Sequence, residues 1–341
     1  MDLNLSSRQI ACELDLNKLS FNSSLTDYPF LKKNIKFVAL ALDSLFNDGG
    51  VDMVMRAKDV ASKVKNLATL PEVCLKINQI ADDPNASIQD LKAVIETDAA
   101  LSVKLLKIAN SSFYGYSMKI DDLNRAIMLI GTQGLRDLVW TMSSISSFSQ
   151  LSNNLVDMKT FWEHSLYTAT VARVLAKKCN VIHQDRVFLS GLLHDVGHLA
   201  LYQYMPEEME VVFARVKNTQ ERLILAERNV LGFTHPAVSY ALLKMWKLPD
   251  SICQPVAYHH QPSKCATYRM DAAILHIADN IAKLANKKGN NLKNQSRIDP
   301  NAWKITGLSD KIIESVVRVS NDQFKDAISL YLGALYTTSA A

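Results

Sequence analysis

Residues Ser190–Leu201 read SGLLHDVGHLAL and set His194, Asp195 and His198 into one of the most apolar segments of the chain. Buried imidazoles and carboxylates are costly unless they are hydrogen-bonded, paired or bound to a metal. The segment therefore carries either a satisfied polar core or a site. On a continuous helix His194 and His198, four residues apart, share one face.

Outward from this stretch nearly every segment shows helical periodicity and none alternates like a strand, so an all-α fold is expected. Pro71, Pro206, Pro236 and Pro249 stand where first-turn prolines belong. Ser87–Asp90, SIQD, resembles a capping box with Asp in the usual Glu or Gln position. Asn110 and Gly131 suit helix ends. About thirteen helices follow from these signals. Residues 1–64 are expected to form an N-terminal helical extension, in which the amphipathic FLKKNIKFVALALDSLF (30–46) is broken by NDGG (47–50). Residues 65–341 are expected to form the main domain. The polar NKKGNNLKNQSR (286–297) reads as a solvated loop first and as a phosphate-contacting loop second.

Bulk properties exclude several classes. The 38 basic and 34 acidic residues leave a net charge of +4, too small and too dispersed for a nucleic-acid partner. Cys12, Cys74, Cys179, Cys253 and Cys265 form no CxxC pair, which argues against a disulfide framework or thiolate zinc site and suits a reducing compartment. No apolar run reaches the roughly 18 residues of a membrane span, and MDLNLSS lacks the basic and apolar regions of a signal peptide. A cytoplasmic protein without membrane or nucleic-acid partners is expected. No P-loop, dinucleotide fingerprint or GxSxG elbow competes for the function.

The histidines are distributed suggestively: His164 in FWEHSLYTATVARVLA, His235 in FTHPAVSYALLKMW, His259 and His260 in AYHHQP, and His276 with Asp279 in ILHIADNIA. Each alone reads as a satisfied core residue. Together with His194 and Asp195 they supply neutral imidazoles and carboxylates, which suit divalent Fe, Mn, Zn or Co. A hydrogen-bonded polar core without metal is the alternative. His235 precedes a proline and should sit just before a helix N-terminus, where free N–H groups favour a phosphate. Pro262 should end a helix near Gln261, leaving His259 and His260 in its last turn. Neighbours there point about 100° apart, so both serve one centre only if that end frays or two metals are present.

The order His164, His194–Asp195, Asp279 resembles the H…HD…D pattern of the HD phosphohydrolase superfamily. His235, His259 and His260 match the extra histidines of its binuclear members. The resemblance implies that Asp195 bridges two ions, that His164, His194 and Asp279 complete the first, and that His235, His259 and His260 serve the second. Upstream, LATLPEVCLKINQIADDPNASIQDLKAVIETDAALSVKLLKIANSSFYG (67–115) and AIMLIGTQGLRDLV (126–139) resemble the front half of the HDOD domain, a bacterial signalling relative of the HD hydrolases. GLLHDVG, HPAVSYALLKMWKLPDSI and the HH pair belong to the same pattern, which covers roughly residues 65–270.

The family implies an HD-like helical core over about 157–285 with further helices after it, and signalling through a protein partner. Most HDOD domains have lost HD ligands, whereas this sequence retains every position. Retention implies a mono- or binuclear divalent metal centre. The alternative it opens is a metal-dependent phosphohydrolase acting on a phosphate-containing small molecule or nucleotide, through water activated near Asp195 and with His198 as a second catalytic candidate. Cyclic-dinucleotide phosphodiesterases of the HD-GYP type carry lysine where this chain has His198 and a GYP motif that HHQPSKCATYR lacks, which weakens the cyclic-di-GMP reading. His198 can donate to phosphate, support the ligands from behind or lie at the cavity rim; the last two are preferred.

Overall fold

The computed structural model describes residues 57–63, 72–83, 85–111, 114–116, 118–148, 155–285 and 298–332. The expectations for residues 1–56, for Pro71 and for the 286–297 loop lie outside them.

Among the described residues the regular elements are helices, and the fold is all-α. The front half contains α1 (Glu72–Asp82), α2 (Ile88–Glu96), α3 (Ala99–Ala109) and the long α4 (Leu123–Phe148). Ser87 and Asp90 cap α2 reciprocally, Asp98 caps α3, and Asn110 ends it. Gly131 adopts φ 78° and ψ 160°, a conformation open to glycine, and kinks α4 between two helical stretches. α1, α2 and α3 each pack on α4, which leans on the second half through α6.

That half begins with α5 (Met158–Lys178), capped by Asp157, and α6 (Gln184–Leu193), which pack as an antiparallel pair. Next come α7 (Val196–Tyr204), α8 (Pro206–Thr219), α9 (Leu223–Leu231), α10 (His235–Met245), α11 (Asp250–Tyr258) and α12 (Arg269–Ala285). Pro206 and Pro236 open α8 and α10 as first-turn prolines, and Pro249 stands at the N-cap of α11. α13 (Pro300–Thr306) and α14 (Ile313–Ala327) follow, packing on α12 and α5 respectively. Residues 57–63, which the sequence assigns to the N-terminal extension, are helical and bury Ala57, Val60 and Ala61 in the same core as Ile77, Trp140 and Trp162. A second apolar cluster joins α5 to α12, α13 and α14. The helix α12 is thus held against α5 by two layers, which positions Asp279 opposite His164.

One buried carboxylate lies where the two halves meet. Asp137 of α4 is 4% exposed, and its Oδ1 lies 3.8 Å from Arg136 Nε. Burial, reinforced by the Asp185 carboxylate, pushes its pKa up to about 7 against the pull of Arg136 and Arg186. A carboxyl whose folded pKa exceeds its unfolded value costs stability where it is ionised. That cost is absent below about pH 4 and grows through pH 7 to as much as about 4 kcal/mol. Asp137→Asn is therefore expected to raise stability at pH 8 by about 2–4 kcal/mol and to leave it nearly unchanged at pH 4. Urea midpoints at the two pH values check this; equal shifts at both would contradict it.

Candidate metal centre

The segment Ser190–Leu201 is not one helix. α6 ends at Leu193, His194 is its C-cap, and Asp195, at φ −102° and ψ 9°, is the N-cap of α7. The expectation that His194 and His198 share a helix face is thereby corrected. The backbone turns between them, and the two rings face different neighbours: His194 lies beside His164 and His259, His198 beside His235 and Tyr202. The turn swings Asp195 inward between the two sets.

Two glycines make the approach feasible. A Cβ on Gly191 would lie 2.6 Å from Ala169 Cα, and one on Gly197 would lie 2.4 Å from the His235 carbonyl oxygen. α6 can therefore press on α5, and α7 on α10, only without those side chains. Ser239 ties the junction, accepting from Gly197 N–H at 2.8 Å and donating to the His194 carbonyl at 3.0 Å.

The side chains singled out from the sequence converge on Asp195. Its Oδ2 is 3.2 Å from His194 Nε2 and 4.0 Å from His164 Nε2; its Oδ1 is 3.2 Å from His235 Nε2 and 3.8 Å from His259 Nε2. Asp279 Oδ1 is 3.3 Å from His164 Nε2 and 3.5 Å from His194 Nε2. His260 Nε2 is 3.2 Å from His235 Nε2. Among the described residues, candidate ligand atoms lie within 4.8 Å of one another in four overlapping groups: His164, His194 and Asp279; His194, Asp195 and His259; Asp195, His198 and His235; and His235, His259 and His260. His259, at φ −61° and ψ −21°, caps the C-terminus of α11, and His260 follows outside the helix.

Hydrogen bonding decides which nitrogens face inward. His194 Nδ1 lies 2.7 Å from the Gly191 carbonyl, and His259 Nδ1 lies 2.7 Å from the Val256 carbonyl. A carbonyl can only accept, so each Nδ1 carries the proton and each Nε2 presents a lone pair to the carboxylates. His235 has the same polarity: its Nδ1 lies 2.7 Å from Glu227 Oε2, leaving Nε2 opposite Asp195 Oδ1. Lone pairs thus face lone pairs. His164 Nε2, His194 Nε2, His259 Nε2, Asp195 Oδ1 and Asp279 Oδ1 are buried without a hydrogen-bond partner. Such an arrangement needs cations, either added protons or metal ions, and nitrogen and oxygen donors of this kind fit a divalent ion.

Without a metal ion, protons would have to supply the positive charge. Burial opposes charge on His194, yet the Asp195 and Asp279 carboxylates outweigh it and raise its pKa to about 10. Burial, with the nearby positive His194, lowers His259 to about 3 and keeps it neutral. Burial likewise opposes ionisation of Asp195, but His194 and His235 hold it well below the usual carboxylate range.

Glu227 of α9 was not singled out from the sequence. It is fully buried, accepts from His235 N–H at 2.9 Å, holds the His235 ring, and lies 2.7 Å from His198 Nε2. It thereby occupies the α10 N-terminus that the sequence reading left open for phosphate. His235 is also the first residue of α10, with Thr234 as N-cap, one position later in the helix than expected. The signal for Glu227 was present: Ala226, Val230 and Leu231 are buried on α9, and Glu227 interrupts that apolar stripe. Burial opposes protonation of His198, but Glu227 and Asp195 raise its pKa to about 9. The ring is 4% exposed, stacked against His235 at 3.9 Å, with Nδ1 3.8 Å from Asp195 Oδ2.

His276 is a buttress. Its Nδ1 donates to the His259 carbonyl at 2.7 Å, and its Nε2 accepts from Asp299 N–H at 2.9 Å, so both ring nitrogens are spent. Lys283, one turn beyond Asp279 on α12, places Nζ 2.5 Å from Asp279 Oδ2. Cys74, Cys179, Cys253 and Cys265 are free thiols and take no part. No helix among the described residues is long and apolar enough to cross a membrane.

Residues 67–262 match the family model of the HDOD domain. An uncharacterized protein of Treponema pallidum (strain Nichols) is 26% identical over 215 residues; the match takes 60% of this chain and only 39% of that protein, so the chain spans well under half of its relative's length. Among solved structures, an HDOD domain protein of unknown function from Geobacter sulfurreducens superposes with TM-score 0.66 at 25% identity, over 82% of this chain and 99% of that one. A protein from Shewanella amazonensis SB2B, named as a candidate phosphohydrolase, shares the fold with TM-score 0.62 at 20% identity, over 80% and 97%. With a family model that spans more than half its length, the chain belongs to the HDOD domain family.

Proposed function

We propose that this chain is a bacterial, cytoplasmic HDOD signalling protein whose His/Asp centre holds two divalent ions. Asp195 would be shared by both, with His164, His194 and Asp279 holding the first ion and His235, His259 and His260 the second. The observation that carries this reading is the set of five buried ligand atoms that face one another without hydrogen-bond partners. The metal is drawn from Fe, Mn, Zn and Co, the borderline ions that imidazole and carboxylate accept together. His198 and Glu227 position His235 and Asp195 from behind. A phosphate-containing small molecule or nucleotide binds at the centre, and the front half, α1 to α4, presents the surface read by a protein partner.

A second reading, a metal-dependent phosphohydrolase, is favoured by one further observation. The centre is not sealed, since the His164 and Asp195 side chains keep 16% and 10% of their exposure while His194 keeps none. The candidate phosphohydrolase name of the Shewanella protein of the same fold is in keeping with it. When bound, a pair of divalent ions lowers the pKa of water and neutralises charge on a phosphoryl group. The chain itself orients the rings through the Gly191 and Val256 carbonyls and excludes bulk water from the inner face of His194 and His259.

The test is metal content per chain after growth in metal-replete medium, followed by a panel of phosphate mono- and diesters with and without chelator. About two ions per chain are expected. Clearly sub-stoichiometric metal, unchanged in His194→Ala, would sink the metal-centre reading. Full metal with no turnover of any ester would leave signalling and remove the hydrolase.

A further inference from the structure

Resting on the metal-centre reading, the geometry points to His198 as a further ligand, through Nδ1, of the ion that His235 holds. His198 and His235 lie side by side between the same two carboxylates. His235 places Nδ1 2.7 Å from Glu227 Oε2 and Nε2 3.2 Å from Asp195 Oδ1. His198 runs the other way along the same path, with Nε2 2.7 Å from Glu227 Oε1 and Nδ1 3.8 Å from Asp195 Oδ2. A carboxylate can only accept, so Glu227 fixes the His198 proton on Nε2 and leaves the lone pair on Nδ1. At 3.8 Å that nitrogen is too far from Oδ2 for a hydrogen bond. It is a buried donor atom aimed at Asp195, as the Nε2 atoms of His194 and His235 are.

The surroundings hold the ring in this orientation. His198 is 4% exposed and stacks on His235 at 3.9 Å and on Tyr202 at 5.6 Å. Its backbone N–H donates to the Asp195 carbonyl at 2.9 Å, so the pair spans the first turn of α7, three residues apart. Gly197, which lets α7 close on α10, brings this turn against His235. The ligand atoms of Asp195, His198 and His235 lie within 4.8 Å of one another, as do those of His235, His259 and His260. Two donors that share an ion at about 2.0–2.2 Å stand up to about 4.4 Å apart, so small ring movements close the set. His198 thereby does more than support His235 from behind. The second ion draws on His198, His235, His259 and His260 with one shared carboxylate, the first on His164 and His194 with Asp195 and Asp279. Such a nitrogen-rich position favours Zn²⁺ or Co²⁺ over Mn²⁺, whereas the carboxylate-rich position discriminates less.

The experiment uses the full chain, labelled with ¹³C and ¹⁵N and loaded with ¹¹³Cd²⁺ as the heavier congener of Zn²⁺, with metal content measured on every sample. A bond from ion to imidazole appears in the nuclear magnetic resonance spectrum as a one-bond ¹¹³Cd–¹⁵N coupling. Ring correlations tell Nδ1 from Nε2, and each ring is assigned through its own backbone. His164, His194, His235 and His259 are expected to couple through Nε2 and His198 through Nδ1. His198→Phe, which keeps a ring against His235, should abolish the Nδ1 coupling and weaken the second ion about 10- to 100-fold, with the couplings of His164 and His194 retained. A loaded wild type in which His198 shows no coupling overturns the proposal, and that result needs no variant to fold. A residue that only supported His235 would give this outcome even if its substitution cost metal affinity. Metal affinity unchanged in His198→Phe overturns the proposal as well. A wild type that takes up no metal is a different failure, one that removes the metal-centre reading and this proposal with it.

Discussion

If the centre holds two divalent ions as proposed, Asp195→Ala is expected to cost the protein both at once. Asp195 is the side chain on which the two halves of the centre meet, with Oδ2 toward His194 and His164 and Oδ1 toward His235 and His259. Loss of a hydrogen-bonded partner behind a ligand typically weakens a metal site 10- to 100-fold, and loss of a shared ligand must exceed that. Metal content should fall to below about a tenth of wild type, with helical content by far-ultraviolet circular dichroism unchanged. His260→Ala is the informative companion. His260 enters only the group with His235 and His259, so about one ion per chain should remain. Full metal in Asp195→Ala would mean that the centre is not built on this carboxylate.

Glu227→Ala is expected to have the next largest effect, on stability as well as metal. The carboxylate is fully buried and holds the His235 backbone, the His235 ring and the His198 ring. Burial and then the neighbouring His235 and His198 charges determine its state, and the histidines win, keeping it ionised. Removing one partner of a buried charged set costs about 3–5 kcal/mol, because the groups left behind cannot rehydrate. A fall in Tm on the order of 10 °C follows. Glu227→Gln separates charge from shape. Its amide oxygen can still accept from His235 while its NH₂ donates to a neutral His198, so most of the stability should return. The metal affinity should remain roughly tenfold weaker, since a carboxylate makes its histidine a better ligand than an amide does. Thermal unfolding and metal titration of both variants check this; an alanine variant as stable and as metal-tight as wild type would refute it.

Much of the fold was legible because helices announce themselves locally. The Ser87–Asp90 box, the Asp98 and Asp157 caps and the first-turn prolines Pro206 and Pro236 act within one turn of chain, where side-chain and backbone partners are separated by two to four residues. Much of the candidate centre was legible for a related reason: polar residues at apolar helix positions stand out whatever their partners. Glu227 obeyed that rule and was still passed over, because a lone glutamate on an amphipathic helix carries no metal-ligand motif. Lys283 gave no signal, since an exposed lysine four residues after an aspartate is an ordinary helix pair until Asp279 is seen to belong to the centre.

By itself the sequence determined the all-α class and the membership of residues 67–262 in the HDOD family, and it named the side chains that the proposed centre would use. Only the tertiary structure decided how they meet. It broke the helix at His194–Asp195, placed His198 behind His235 rather than beside His194, brought Asp279 in from α12 beyond the family match, and filled the α10 N-terminus with Glu227. The physical reason is range. Helix periodicity and caps are settled by contacts a few residues apart, whereas the centre gathers side chains from α5, the α6–α7 turn, α10, the end of α11 and α12. Their convergence depends on close approaches such as Gly197 against His235, which no local pattern encodes.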